Sequence, residues 1–303
     1  MKKLLFLLFL SFTTAAYCQE INGTVTDSAS GQPLMYATIY FKLKTYVQYT
    51  GEKGNFSFNK DSVPAQDTII VGYVGYKDYT IVLKNITDNF SIRMQPSAKQ
   101  LQPVIVSTCS RYRTITANKP GRIDEFRGPG PETRIIIISR FTNSNNIHGY
   151  VKNISLYAGS FNEEVKVPVR LHWYKWNEIL QQPGEEITDR NLIVYPYKKG
   201  WNEFEMPENL LWYSNNGIVL GLEFIYPVDF IKQYSSITSA KEKIQWLQNM
   251  QHRWSLGMKP TIERDANTFY IINNSTMQFY KKAGANLYMQ PAIKFNVQVC
   301  KKG

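Results

Sequence analysis

The sequence predicts an all-β chain, a small antiparallel β-sandwich followed by a larger, jelly-roll-like β-sandwich with one inserted helix. Three observations carry that expectation. Short runs rich in Ile, Val, Tyr and Phe alternate apolar with polar residues, as half-buried strands do. Turn-forming residues interrupt these runs at short intervals, as at Ser30-Gly31-Gln32-Pro33 and Asn143-Ser144-Asn145-Asn146. One segment alone, Ser236 to Met250, places apolar residues (Ile237, Ala240, Ile244, Leu247) at three- and four-residue steps, the spacing of a helix. The 303 residues suffice for two modest domains.

At the N-terminus, Lys2 and Lys3 precede an apolar run from Leu4 to Phe12 and then small residues, Ala16 and Cys18 among them, before Gln19. That pattern describes a secretory signal peptide over residues 1–18. The run is shorter than the about 20 residues a spanning helix needs, and no later stretch is long and apolar enough, so no transmembrane span is expected. Cleavage after Cys18 predicts export to the periplasm, the outer-membrane surface or the extracellular space. The rival is a lipoprotein acylated at Cys18, although Tyr17 and Ala15 stand where small and leucine-like residues are expected. Loss of Lys2 and Lys3 leaves 33 basic against 24 acidic residues, a mature charge of +9. The basic residues are scattered, which suits a soluble basic surface or an anionic envelope partner and disfavours nucleic acid. After cleavage Cys109 and Cys300 remain; an oxidising compartment permits a disulfide between them, and two free thiols are the alternative.

The first domain is expected over residues 19–96. It opens Ile21-Asn22-Gly23-Thr24-Val25-Thr26-Asp27 and turns at Gly31 before Pro33. Tyr36, Thr38 and Tyr40 alternate with Ala37, Ile39 and Phe41, so one face can be buried. Gly51-Glu52-Lys53-Gly54 reads as a hairpin-type connection into Phe56 and Phe58. Gly54-Asn55-Phe56-Ser57-Phe58 and the Gly75-Tyr76 step resemble the carboxypeptidase-like regulatory domain, named for its place beside some metallocarboxypeptidase catalytic units. The resemblance implies a sandwich and an extracytoplasmic setting, and implies no reaction.

Residues 97–133 are expected as a linker that adds one strand to a neighbouring sheet and ends in Arg127-Gly128-Pro129-Gly130-Pro131. Leu101 to Ser107 is similar to the segment that follows such a domain in outer-membrane transporters of the starch-utilisation type. Pro103 and the absence of alternating ten-residue barrel strands argue against that role.

The second domain is expected over residues 134–300, with strands at Arg134–Ser139, Gly149–Ala158, Val165–Trp173, Leu192–Tyr195, Trp201–Met206, Ile218–Ile225, Thr268–Ile272, Met277–Tyr280 and Ala292–Val299. Turns are expected at Pro183-Gly184, Lys198-Lys199-Gly200, Asn215-Asn216-Gly217 and Ala283-Gly284. The order of an Arg-containing strand (Val169-Arg170-Leu171), a Pro-Gly loop, a Gly-Trp strand and an apolar strand ending near Glu223 resembles a galactose-binding-like jelly roll. That resemblance implies fold alone.

Catalytic chemistry is poorly supported. His148, His172 and His252 form no metallopeptidase pair, so no metal site and no cofactor is expected. No Gly-x-Ser-x-Gly elbow occurs, and Glu163-Glu164 and Glu185-Glu186 read as solvated turns. Binding has more to offer. Strand alternation places His172, Tyr174 and Trp176 on one face and Trp173 on the other, and Trp201 could extend an aromatic platform for sugar rings. Large aromatics alternating along a strand also fill sandwich cores. The expectation is a non-catalytic, exported envelope protein that binds or scaffolds glycan or protein. The alternatives are a hydrolase of glycan or peptide using carboxylates of the second domain, and an accessory subunit docking on an outer-membrane transporter or secretion machine through a strand edge near Val104 to Ser107.

Overall fold

The computed structural model describes residues 20–43, 47–86, 89–97, 109, 111–126, 131, 133–161, 167–188, 190–226, 228–253, 255–261, 268–272, 276–279 and 288–300. The leader with Cys18, the segment at Val104 to Ser107, Glu163-Glu164 and the Ala283-Gly284 turn lie outside them.

Seven strands build the first sandwich: β1 (Glu20–Asp27), β2 (Thr38–Phe41), β3 (Val47–Tyr49), β4 (Asn55–Asn59), β5 (Thr68–Gly72), β6 (Tyr79–Val82) and β7 (Asn89–Met94). They form two sheets, β4-β1-β7 and β3-β2-β5-β6. Alternation does the sorting: Ile21 and Val25 of β1, beside Phe56 and Phe58 of β4 in the same sheet, share one core with Ile39 of β2 and Ile69 of β5 from the other sheet. One pairing departs from the antiparallel expectation, since β1 and β7 run parallel. The Gly51–Gly54 turn also differs from a hairpin. It joins β3 to β4, which belong to different sheets, so it is a corner between layers. Gly54 makes that corner possible: its φ is +69°, and a Cβ there would sit 2.4 Å from the Val25 carbonyl oxygen.

The second sandwich is larger. Its strands are β8 (Tyr112–Ala117), β9 (Asp124–Phe126), β10 (Ile135–Phe141), β11 (Gly149–Ala158), β12 (Val169–Asn177), β13 (Gln182–Glu186), β14 (Leu192–Val194), β15 (Gly200–Glu205), β16 (Trp212–Tyr213), β17 (Ile218–Phe224), β18 (Leu256–Thr261), β19 (Thr268–Ile272), β20 (Thr276–Phe279), β21 (Tyr288–Pro291) and β22 (Ile293–Cys300). One sheet runs β13-β12-β17-β10-β19-β20, with β14 also on β12. The other runs β21-β18-β11-β22-β8, with β15 and β16 on β11 and β9 on β18. Val169, Leu171 and Trp173 of β12 meet Ile154 and Leu156 of β11 and Phe295 and Val297 of β22 in the core. Arg170, His172 and Tyr174 therefore point away from it, as period-two alternation requires.

Several expectations change. The stretch read as linker contributes two strands, because β8 pairs along β22 and β9 along β18. Their exposed polar residues hid the pairing, since an edge strand needs only one covered face. Pro183-Gly184 lies inside β13, which among the described residues pairs with β12 only, and an edge strand tolerates a proline. The expected single helix is two, α1 (Val228–Ser236) and α2 (Ala240–Arg253). The burial is on α1, through Ile231, while Ile244 of α2 is 58% exposed. Helix α1 lies beside β3, and its Lys232 approaches Glu20 of β1 at 3.6 Å. Cys109 and Cys300 are joined as a disulfide with Cα atoms 5.7 Å apart, fixing the approach to β8 against the end of β22.

Candidate binding cleft between the two sandwiches

The face of β12, β17 and β10 that turns away from the second core meets the first sandwich. Three charged side chains come together there: Arg134 just before β10, and Arg170 on β12 and Glu223 on β17, each of the latter two flanked by apolar residues. Glu223 is wholly buried. Its carboxylate accepts from Arg134 Nε at 2.5 Å, from Arg170 Nη1 at 2.8 Å and from the Tyr49 hydroxyl at 3.1 Å. Arg170 extends the same network across the junction: its guanidinium donates to the Tyr36 carbonyl, to Thr38 Oγ1 at 3.2 Å and to Asn191 Oδ1 at 2.7 Å. Asn191 in turn donates to the Tyr73 hydroxyl at 3.0 Å. Buried charges persist only when paired and hydrogen-bonded, and here both conditions are met. Tyr36 completes the junction with a left-handed backbone, φ +62°, which aims its carbonyl at Arg170.

His172 sits between two carboxylates, with Nδ1 2.8 Å from Glu186 and Nε2 3.0 Å from Glu223. Each carboxylate can only accept, so both ring nitrogens donate and the ring is an imidazolium. Burial opposes that charge, but Glu186 and Glu223 outweigh it and raise the histidine pKa. Burial alone would push the Glu223 carboxyl up; Arg134 and Arg170 override it and hold it well below the usual range. Glu186 follows the same pattern, burial raising and His172 lowering it further, to a net depression. Tyr49 and Tyr174 are driven well up, by burial and then by the nearby glutamates, and stay neutral.

A cleft of about 320 Å³ opens beside this network. From the first sandwich come Thr38, Tyr40, Asp78 and the Gly72–Tyr76 turn, where the Tyr73 and Tyr76 rings stand edge to face 5.3 Å apart. From the second come Arg134, His172, Tyr174, Glu186 and Thr188. Asp78 has its pKa raised by burial, which Arg134 only partly offsets. The cleft thus offers aromatic rings, hydroxyls and carboxylates over a fixed, charge-balanced floor. Among the described residues no group of three His, Cys, Asp or Glu could hold a metal ion, and no helix is long and apolar enough to cross a membrane.

Of the residues singled out in the sequence, His172 and Tyr174 line this cleft, both largely buried. They form no exposed platform. Trp176 lies elsewhere on the same face, against Phe269 at 5.9 Å and under the Arg140 guanidinium at 4.5 Å. Trp201 belongs to the other sheet, on β15, between Tyr157 at 5.3 Å and the Lys294 ammonium at 3.7 Å. Glu186 is no solvated turn; it is on β13 and bonded to His172, while Glu185 does lie exposed beside Lys175. Arg134, Tyr49, Tyr73, Tyr76 and Asp78 were not foreseen. The available signal was a charged residue inside an apolar strand, as in Val169-Arg170-Leu171 and Leu222-Glu223-Phe224, which announces a buried pair.

The first sandwich and its Gly-Tyr turn are similar to those of a known module. Residues 21–106 match the family model of the CarboxypepD_reg-like domain. The matched stretch supplies Thr38, Tyr73, Tyr76 and Asp78 to the cleft; it takes in the strands of the first sandwich, runs on to residue 106 and includes none of the second sandwich. A comparison with curated proteins finds no match. Among solved structures, the chain is similar to one described as "a putative carbohydrate binding protein from Bacteroides uniformis ATCC 8492", at 14% identity and a TM-score of 0.20. That likeness covers 46% of this chain, which spans 59% of the length of its neighbour.

Proposed function

We propose that the chain is an exported, non-catalytic binding protein of the cell envelope and that its ligand, a glycan, seats in the cleft between the two sandwiches. The observation that carries the reading is the composition of that cleft. Tyr73 and Tyr76 supply ring faces and edges from one side, while Thr188, Glu186 and Arg134 supply planar and hydroxyl partners from the other. Rings for the apolar face of a pyranose and fixed polar groups for its hydroxyls are what recognition of a sugar requires. The paired network argues against turnover: His172 donates through both nitrogens and Glu223 is neutralised by two arginines, so neither is available as a base. His172 and Tyr174 keep their place in this reading as the cleft floor; Trp176 and Trp201 do not enter it.

The test is an array of envelope glycans and polysaccharides probed with the mature protein, Gln19 to Gly303. Binding should be lost in Tyr76→Ala with folding intact and retained in Trp176→Ala, whose ring is outside the cleft. Silence across the array would remove the glycan reading and send the search to envelope proteins by pull-down.

A second reading, hydrolysis, has one observation in its favour. Asp78 and Glu186 line one cleft with pKa values displaced in opposite directions, the pattern of an acid beside an ionised partner. New reducing ends released from an array glycan by the wild type, and absent with Asp78→Asn, would replace the binding reading by an enzymatic one.

A further inference from the structure

Strand β10 serves both ends of the second sandwich. Arg134 and Ile136 at its start line the cleft just described; Arg140 and Phe141 at its finish line a separate cavity of about 540 Å³. Five to seven residues of extended chain set the two sites roughly 20 Å apart. The second cavity lies where the two sheets part: Thr116 and Ala117 of β8, Lys259 of β18 and Gln290 of β21 face the loop from Thr142 to Ile147. Phe141, Ile147 and Tyr213 are buried beneath it and form an apolar floor.

The rim is built to hold its shape. Asn143 accepts from the Ile147 amide at 2.9 Å and donates to the Ile147 and Ser214 carbonyls at 2.6 and 2.8 Å, which closes the loop on itself and on the β16 end. Asn118, at φ +53°, donates to the Ile293 carbonyl at 2.6 Å. Gln290, nearly buried, donates to the Arg140 carbonyl at 2.9 Å and so ties one sheet to the other. Charge is one-sided. Lys119 and Lys259 line the cavity, and no Asp or Glu is among its described lining residues. The Arg140 guanidinium does not add to this, since it lies over Trp176 and reaches Glu178 at 3.3 Å.

From an apolar floor, a fixed rim of amides and hydroxyls, and two lysines that face no Asp or Glu among the described lining residues, we infer that this cavity is a second binding site, for an acidic saccharide unit bearing a carboxylate or sulfate. The volume falls in the range of small-ligand pockets, and the lysines supply the anion contact that the first cleft, balanced by its carboxylates, does not. The inference stands apart from the reading of the first cleft, because no lining residue is shared.

Calorimetric titration of the mature protein tests it with three probes: a galacturonate trimer, a neutral galactose trimer and inorganic sulfate. The acidic trimer should bind saturably and weaken when salt is raised, since exposed charges are screened. Lys119→Ala/Lys259→Ala should weaken it at least tenfold while leaving the circular dichroism spectrum unchanged, and Tyr76→Ala should have no effect. Absence of saturable binding by the acidic trimer would overturn the proposal, as would binding untouched by the lysine pair. Sulfate or the neutral trimer binding as tightly as the acidic trimer would also overturn it, the first by making the cavity a plain anion site and the second by removing the role of charge.

Discussion

The Tyr49 hydroxyl of the first sandwich donates to the Glu223 carboxylate of the second at 3.1 Å, and its ring is buried in the core of that second sandwich. A residue of one unit is thus part of the packed interior of the other. Arg170 returns the contact by donating to Tyr36 and Thr38, so the junction is bonded in both directions. The cleft inherits its shape from that junction, which ties its two walls together.

Removing the carboxylate should test how much the junction depends on it. Glu223→Gln leaves Arg134 and Arg170 buried beside a neutral amide, and loss of one partner of a buried ionic cluster costs about 3–5 kcal/mol. Tyr49→Phe removes one hydrogen bond to a charged acceptor, about 1.5–3 kcal/mol. In urea unfolding the two should be non-additive, Tyr49→Phe costing less in the Glu223→Gln background. Strict additivity would mean that the two side chains do not interact.

Stability should have two pH limbs. Glu223 and Glu186 titrate below their ordinary value of 4.5 in the folded chain, so their contribution is present above that value and is lost as pH falls through the depressed range. His172 titrates above 6.5, so its contribution is complete below that value and is lost as pH rises through the raised range. Thermal melts should therefore place the junction's greatest contribution between 4.5 and 6.5. His172→Gln should flatten the alkaline limb while the acid limb remains. An alkaline limb unchanged by that substitution would show that another group produces it.

The disulfide should matter through the unfolded chain. Cys109 and Cys300 are 191 residues apart, and closing so long a loop is worth up to about 5 kcal/mol on the chain-entropy model. Cys109→Ser/Cys300→Ser should lower the urea midpoint by a corresponding amount. The amides of β8, held at the sheet edge by β22, should exchange faster in that variant. Unchanged exchange there would separate the bond from the docking of β8.

Two glycines form an internal control. Gly54 and Gly31 both have positive φ, +69° and +71°, but only Gly54 has a carbonyl, that of Val25, in the space of a Cβ. Gly31→Ala should cost about 1–2 kcal/mol, the left-handed penalty alone. Gly54→Ala should cost more, because the sheet-to-sheet corner must shift. Equal losses would show that the corner relaxes without strain.

Much was legible in the residues. Alternation in Gly149–Ala158 and Thr268–Ile272 marks strands β11 and β19 at their observed bounds, because side chains of a half-buried strand must alternate. The same rule put His172 and Tyr174 on the face opposite Trp173. The Gly and aromatic spacing of the first sandwich was enough to relate it to its module. Local pattern cannot say what covers a face. That His172 and Tyr174 are buried at a cleft, that Glu186 meets His172, and that Tyr49 crosses into a second core all depend on partners far away in the chain. Edge strands such as β8, β9 and β13 escaped for a related reason: their partners supply the order that their own polar residues do not display. The sequence by itself determined two β-sandwiches and the parity of their faces, since both follow from steric alternation along one strand. Only the tertiary structure decided the cleft and its charge-balanced floor, because pairing buried charges takes long-range contacts that no local spacing encodes.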